Sequence, residues 1–175
     1  VADLELDSQK LAVSRENFHA QMKYLKDNFP VLALDDDWSQ IKEPSVAISF
    51  DDGYSDNFEN ALPVIDDVGV PVTFFVTTGY VDSSREFWWD ELERLVLTAG
   101  PYPGRCLMHD SGHEVSWPTV TKNDRVKMFA ELQEMMRVAS PPSKEGLFQQ
   151  LRKWVGASQE GRLTHRALSS QQLRL

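Results

Sequence analysis

Residues 46–57 read VAISFDDGYSDN, an apolar run that ends in two adjacent aspartates and a glycine. Val46–Phe50 has no polar alternation apart from Ser49, the pattern expected of a strand covered on both faces in a parallel sheet. Asp51 and Asp52 repel each other unless a positive charge sits beside them. In parallel α/β sheets and barrels, ligands gather at the carboxyl ends of strands, which is where this pair falls. Gly53 permits a tight turn and the close approach of a ligand. Two readings follow. One is a cation held by one carboxylate with the other placed as a base; the other is a solvated strand-to-loop junction.

The flanking segments set the fold class. Downstream, Leu62, Ile65 and Val68 share one side of a helix running roughly from residue 60 to 68, with Pro63 in its first turn and Gly69 as its stop. VPVTFFVTTG (70–79) then reads as another apolar strand. Strand, helix and strand in about thirty residues predict a βαβ unit, parallel pairing and a right-handed crossover, hence an α/β fold. Upstream, SRENFHAQMKYLKDN is a helix capped by Ser14, followed by a short strand VLAL and a polar turn at Asp35–Asp37. Beyond the βαβ unit, REFWWDELERLVL is a helix with Trp88, Trp89, Leu92, Leu95 and Val96 on its apolar face. CLMHDSGHEVSW predicts a hairpin turning at Asp110–Gly112. Two amphipathic helices follow, one carrying Val126, Phe129, Leu132 and Met136. The second opens at SPPSKEG, carries Leu147, Leu151, Trp154 and Val155, and stops at Gly156. Ser169 and Gln172 form a capping box ahead of the last leucines.

The bulk numbers exclude some classes. With 175 residues and 41% hydrophobic content, the chain supports one domain with a real core. A formal charge of −9 argues against nucleic acid and anionic lipid as partners. No run of eighteen apolar residues is present, so no spanning helix is predicted, and no signal-peptide pattern opens the chain. Val1 stands where a methionine would, so a truncated N-terminus is expected, and both cytoplasm and cell envelope stay open as compartments. Cys106 is the sole cysteine and has no internal disulfide partner. Three other motifs fail. A phosphatase-type Asp-x-Asp would need a carboxylate at Phe50; a calcium loop starting at Asp51 would need its glycine at position 56, which is Asp; and no phosphate-binding glycine loop exists.

SFDDGYSDN followed by ALPVIDDVGVPVTFFVTTGYV resembles the polysaccharide deacetylases of carbohydrate esterase family 4, the homology domain of nodulation-type chitooligosaccharide deacetylases. The match runs nearly residue for residue from Val46 to Tyr80, with Val72 where alanine is usual. VSRENFHAQMKYLKDNF, REFWWDELERLVL and RALSSQQLRL resemble the family's preceding helix, an insertion, and the segment leading to its second motif. The resemblance implies part of a distorted (β/α) barrel with seven or eight strands. Residues 1–175 would form a single, incomplete N-terminal portion of that domain, with the catalytic motif region at 46–80 and a helical insertion at about 86–160. It implies Asp51 as general base and Asp52 as ligand to a divalent metal, usually zinc, which holds a water and polarises the acetamide carbonyl. The substrate would be an acetylated polysaccharide or oligosaccharide, and the products a free amine and acetate.

The family completes its metal site with a His-Ser/Thr-x-x-His motif. His109 and His113 have the spacing, but Asp110, Gly112 and Glu114 depart from the pattern, and the reading here is an exposed turn pair. His19 is read on the exposed side of the first helix and His165 in a polar loop, neither with a partner at ligand spacing. The histidine motif is therefore expected beyond Leu175, and with one carboxylate ligand the chain is expected to hold metal weakly or not at all. Trp88, Trp89, Tyr80 and Trp117 are candidates for a sugar groove, against core packing for the first two; Tyr54 and Asp56 adjoin the motif and are better placed to touch substrate. Two alternatives stay open: a non-catalytic barrel or binding module, and hydrolysis of a different C–N substrate. An unfinished barrel also implies an open sheet edge and self-association.

Overall fold

The computed structural model describes residues 1, 11–110 and 112–174. The chain forms two compact units, one made of Val1–Ser83 with Leu163–Leu175, the other of Ser84–Arg162. No helix among the described residues is long and apolar enough to cross a membrane.

The first unit begins with α1 (Arg15–Asn28), whose N-cap Ser14 accepts from the Asn17 N–H. Phe18 and Met22, one turn apart, are its buried face. The strand β1 (Ser49–Phe50) pairs in parallel with β2 (Thr73–Phe74), in register Ser49 with Thr73 and Phe50 with Phe74. Between them lies α2 (Leu62–Val68), with Pro63 in its first turn and left-handed Gly69 at its end, preceded by a π-type turn at Asn57–Ala61. The parallel βαβ pairing is therefore present, but the regular strands are two residues each where the apolar runs predict five and ten. Exposure explains part of this: Ser49 and Phe75 face outward, so neither strand is covered on both faces. The ladder nonetheless continues past β1, with Thr73, Phe75 and Thr77 N–H donating to the carbonyls of Ile48, Phe50 and Asp52 at 3.0, 2.8 and 3.0 Å. On the other flank Val31 bridges Val46 in parallel, all that remains of the predicted VLAL strand. The predicted Asp35–Asp37 turn is present, with Asp36 accepting from the Ala33 N–H and Asp37 from the Ser39 N–H.

Phe18, Met22, Ala61, Val64, Ile65, Val68 and Val70 form this unit's core. Phe50 and Phe74 stack at 4.9 Å against it, and Phe18 meets Phe50 edge-on at 5.8 Å. Packing of these rings from α1, β1 and β2 fixes the height at which the Asp51–Asp52 loop leaves the sheet.

The second unit contains α3 (Trp88–Glu93), the antiparallel hairpin β3 (Arg105–Asp110) and β4 (His113–Pro118), α4 (Lys122–Val138) and α5 (Pro141–Val155). A capping box between Thr121 and Asp124 starts α4. Its core draws on Leu92, Leu95 and Val96, on Cys106, Met108 and Trp117 of the hairpin, and on Leu132, Met136, Leu147 and Leu151 of the last two helices. Val126, read as part of the buried stripe of α4, is 44% exposed, and Met128 takes its place inside. Helix phase accounts for the exchange, because Met128, Leu132 and Met136 recur every four residues along one face.

Charged residues also lie inside this unit. Glu86 and Glu91 are each 1% exposed. The Arg152 guanidinium donates to Glu91 at 2.7 Å and Glu145 at 2.9 Å, while Arg94 donates to Glu86 at 3.1 Å. Arg162 donates to Glu86 through both its backbone N–H and its Nε, each at 2.7 Å. The unit's two ends meet there: the Gly161 N–H donates to the Ser84 carbonyl at 2.9 Å. A Cβ on Gly161 would stand 2.5 Å from Glu86 Cγ and 2.7 Å from its backbone nitrogen, so only glycine fits at this neck.

The described residues contain two two-stranded sheets and no closed sheet. The architecture they show is a mixed α/β one.

Candidate active-site loop

Asp51 and Asp52 leave the sheet at the carboxyl end of β1, beside the end of β2. The backbone there is strained. Asp52 has φ +67°, a value uncommon for a residue with a Cβ, and the Gly53 N–H donates to the Asp51 carbonyl two residues back at 2.8 Å. This is a γ-turn of the rare, positive-φ kind. Gly53 follows at φ +79°, and a Cβ on it would lie 2.9 Å from Val76 Cγ1. The loop therefore sits hard against Val76, two residues past β2, which is why the third residue of the motif is glycine.

The electrostatics follow from this geometry. Asp51 is exposed and Asp52 half-buried. Burial first, and the charge of Asp51 second, push the Asp52 carboxyl above the usual carboxylate range. Among the described residues, neither carboxylate has a side-chain hydrogen bond or ion pair.

The model for the family described as polysaccharide deacetylase matches residues 39–137, more than half of the chain. The chain belongs to the polysaccharide deacetylase family. It is also similar to the Bacillus subtilis (strain 168) protein named "Putative polysaccharide deacetylase YxkH", 40% identical over 73 residues. That similarity covers 38% of this chain and 26% of the relative, so the chain spans about a quarter of the length of the curated relative it matches. No solved structure matches.

Among deacetylase-family features, the loop suits a divalent cation as a partial donor set. Two adjacent carboxylates without side-chain partners among the described residues offer hard oxygen ligands; burial is the main cause of the upward shift of Asp52, and the smaller part, the charge of Asp51, is what a cation offsets. The histidines do not extend the set from the hairpin. His109 pairs with Glu114 across the ribbon and His113 with Asp110, so the two rings belong to opposite faces. Both are exposed, and His109 Nε2 lies 3.7 Å from Glu114. His19 on α1 is 3.0 Å from Asp67 of α2. His165, expected in an open polar loop, is 7% exposed in a turn at Leu163–His165, its Nδ1 2.8 Å from Thr164 Oγ1.

The aromatic candidates divide. Trp117 is buried and donates to Glu131 at 2.7 Å, so it is no groove residue. Trp88 packs on the core with Lys144 Nζ 4.9 Å over its ring, and Trp89 stacks on Phe87 at 5.0 Å. Tyr80 closes a single turn, Thr78–Tyr80. Tyr54 forms an antiparallel bridge with Ala167. That bridge belongs to a support sequence reading missed: the Ser55 N–H donates to the Arg166 carbonyl, and the Leu168 N–H to the Gly53 carbonyl, both at 2.8 Å. Only the separation of 110 and more residues hid it, since RALS reads as an ordinary loop.

Proposed function

We propose that this chain carries the proton-handling part of a metal-dependent polysaccharide N-deacetylase. Family membership together with the intact Phe-Asp-Asp-Gly at a parallel strand end supports this reading. Asp52 would hold a divalent cation, zinc by the resemblance of the motif. When bound, such an ion supplies Lewis acidity toward the acetamide carbonyl and its water. Asp51, exposed and carrying no protein partner among the described residues, takes the proton of the attacking water and releases it to the departing sugar amine. Bound substrate would be an acetylated polysaccharide or oligosaccharide, hydrolysed at its C–N bond to a free amine and acetate. The parallel strands are read as the opening of a distorted (β/α) barrel, and the hydrolase activity as that of the parent protein.

A second reading is a non-catalytic binding module on the same scaffold. The opposite facing of His109 and His113 favours it, since the hairpin supplies no imidazole pair for a metal. Acetate release by the full-length protein from acetylated chitooligosaccharides, with zinc, cobalt or nickel added, separates the two. The hydrolase reading expects release, and a loss of about 10²–10⁴-fold in Asp51→Asn. Glycan binding without release, or an Asp51→Asn variant as active as the parent, would overturn the mechanism.

A further inference from the structure

The strained Asp52 turn is held from two sides. On one, the Thr77 N–H, three residues past β2, donates to the Asp52 carbonyl at 3.0 Å. On the other lies the segment 166–168, which returns to the first unit after the second unit has been completed. It runs antiparallel to residues 53–55 and makes the two bonds already described, from Ser55 to Arg166 and from Leu168 to Gly53. The segment is anchored by burial of Ala167 and Leu168, at 8% and 4% exposure. Its far end is fastened by Asp82, which is itself left-handed at φ +61°. The Asp82 carboxylate accepts from the Ser170 N–H at 2.9 Å, and the Asp82 N–H donates to the Leu168 carbonyl at 3.4 Å. Ser169 and Gln172 complete the fixture by exchanging capping bonds, Ser169 N–H to Gln172 Oε1 at 2.8 Å and Gln172 N–H to Ser169 Oγ at 3.2 Å.

We propose that Asp82 is a positioning residue for the Asp51–Asp52 pair, acting through Ser170 and Leu168 on the Gly53 carbonyl. The chain of contacts runs Asp82, Ser170, Leu168, Gly53, Asp52, each step a backbone link or a named hydrogen bond. A positive-φ residue persists only where its surroundings hold it there. Two like charges on neighbouring residues add a force that opens the loop. The strut opposes both, so the carboxylates stay aimed as a pair before any cation arrives. Asp82 touches no reacting atom in this scheme. It rests on the reading of the loop as a metal-binding deacetylase site, although the strut itself does not.

The test uses the whole chain and three variants. Asp82→Ala removes the acceptor; Asp82→Asn keeps an oxygen there and tolerates the left-handed backbone. Ser170→Pro removes the donor instead, at the first position after the Ser169 cap, where proline is accommodated. Hydrogen exchange of the Leu168 and Ser55 amides is read by NMR, together with the strong intraresidue amide-to-α-proton contact that marks positive φ at Asp52. Zinc ion alone is titrated calorimetrically. Asp82→Ala and Ser170→Pro should each speed both amides about tenfold or more, weaken the Asp52 signature, and lower zinc affinity about 10–100-fold. Asp82→Asn should retain all three. An Asp52 signature unmoved in both disruptive variants, or Asp82→Asn behaving like Asp82→Ala, overturns the proposal. If the amides and signature respond but the full-length protein binds no zinc, the strut stands and the deacetylase reading of the loop falls.

Discussion

Asp52 is a residue whose burial and charge pull in different directions. Its carboxyl is pushed above the ordinary 3.8, by burial first and then by Asp51. A carboxyl with a raised folded-state value is protonated more readily in the folded than in the unfolded chain. Stability therefore falls as pH rises from about 3.8 through the folded value. In metal-free protein, Asp52→Asn should be the more stable chain at pH 7 by urea denaturation, and the gap should close at pH 3.5. Gly53 has no such latitude: at φ +79° and with Val76 Cγ1 2.9 Å from a built Cβ, Gly53→Ala should cost about 1–3 kcal/mol in thermal or urea unfolding.

At the scale of single elements, local chemistry decides most boundaries. The reciprocal Thr121–Asp124 box starts the 17-residue α4, so Thr121→Ala should lower stability by about 1 kcal/mol while Thr121→Ser recovers most of it. The Ser14 cap and the Gly69 and Gly156 stops were legible in the sequence, as were the hairpin around Gly112, the parallel βαβ pairing, and the place of Asp51 and Asp52 at a strand end. Their causes are local: caps, turn residues and apolar period. What could not be read has distant causes. Glu86 and Glu91 look like the solvated side of REFWWDELERLVL, but their partners Arg162 and Arg152 lie 76 and 61 residues away. The support of Gly53 by Leu168 is equally remote in sequence. His165 seems polar by its neighbours and is 7% exposed.

For the molecule as a whole, charge is divided unevenly. Ser84–Arg162 carries eleven acidic and eleven basic side chains, so the formal −9 falls on the remainder of the chain, which includes the aspartate pair. Inside the balanced unit, ionic bonds replace part of what an apolar core would do. Arg152→Met leaves Glu91 buried without its main partner and should cost about 3–5 kcal/mol. Hydrogen exchange should show the loss at Leu92, Leu132 and Leu151, with the amides of α1 as the internal reference. Acidification should act in the same direction. Burial draws the Glu145 carboxyl upward, but bonds from Arg152 and Arg85 outweigh it and hold it below the ordinary 4.5. Its contribution is thus complete above pH 4.5 and is lost as pH falls through the folded value.

The neck at Gly161 has a consequence for how such a chain is assembled by evolution. Its two sides, Ser84 and Gly161, are one hydrogen bond apart at 2.9 Å. A gap that narrow is spanned by a turn of two or three residues. The 79 residues from Ser84 to Arg162 are therefore a cassette in the gene: they can be excised, lengthened or exchanged at their outer loops while the splice points keep their spacing. Gly161 is the one position at which such an exchange has no freedom, because any larger residue would pry the splice open.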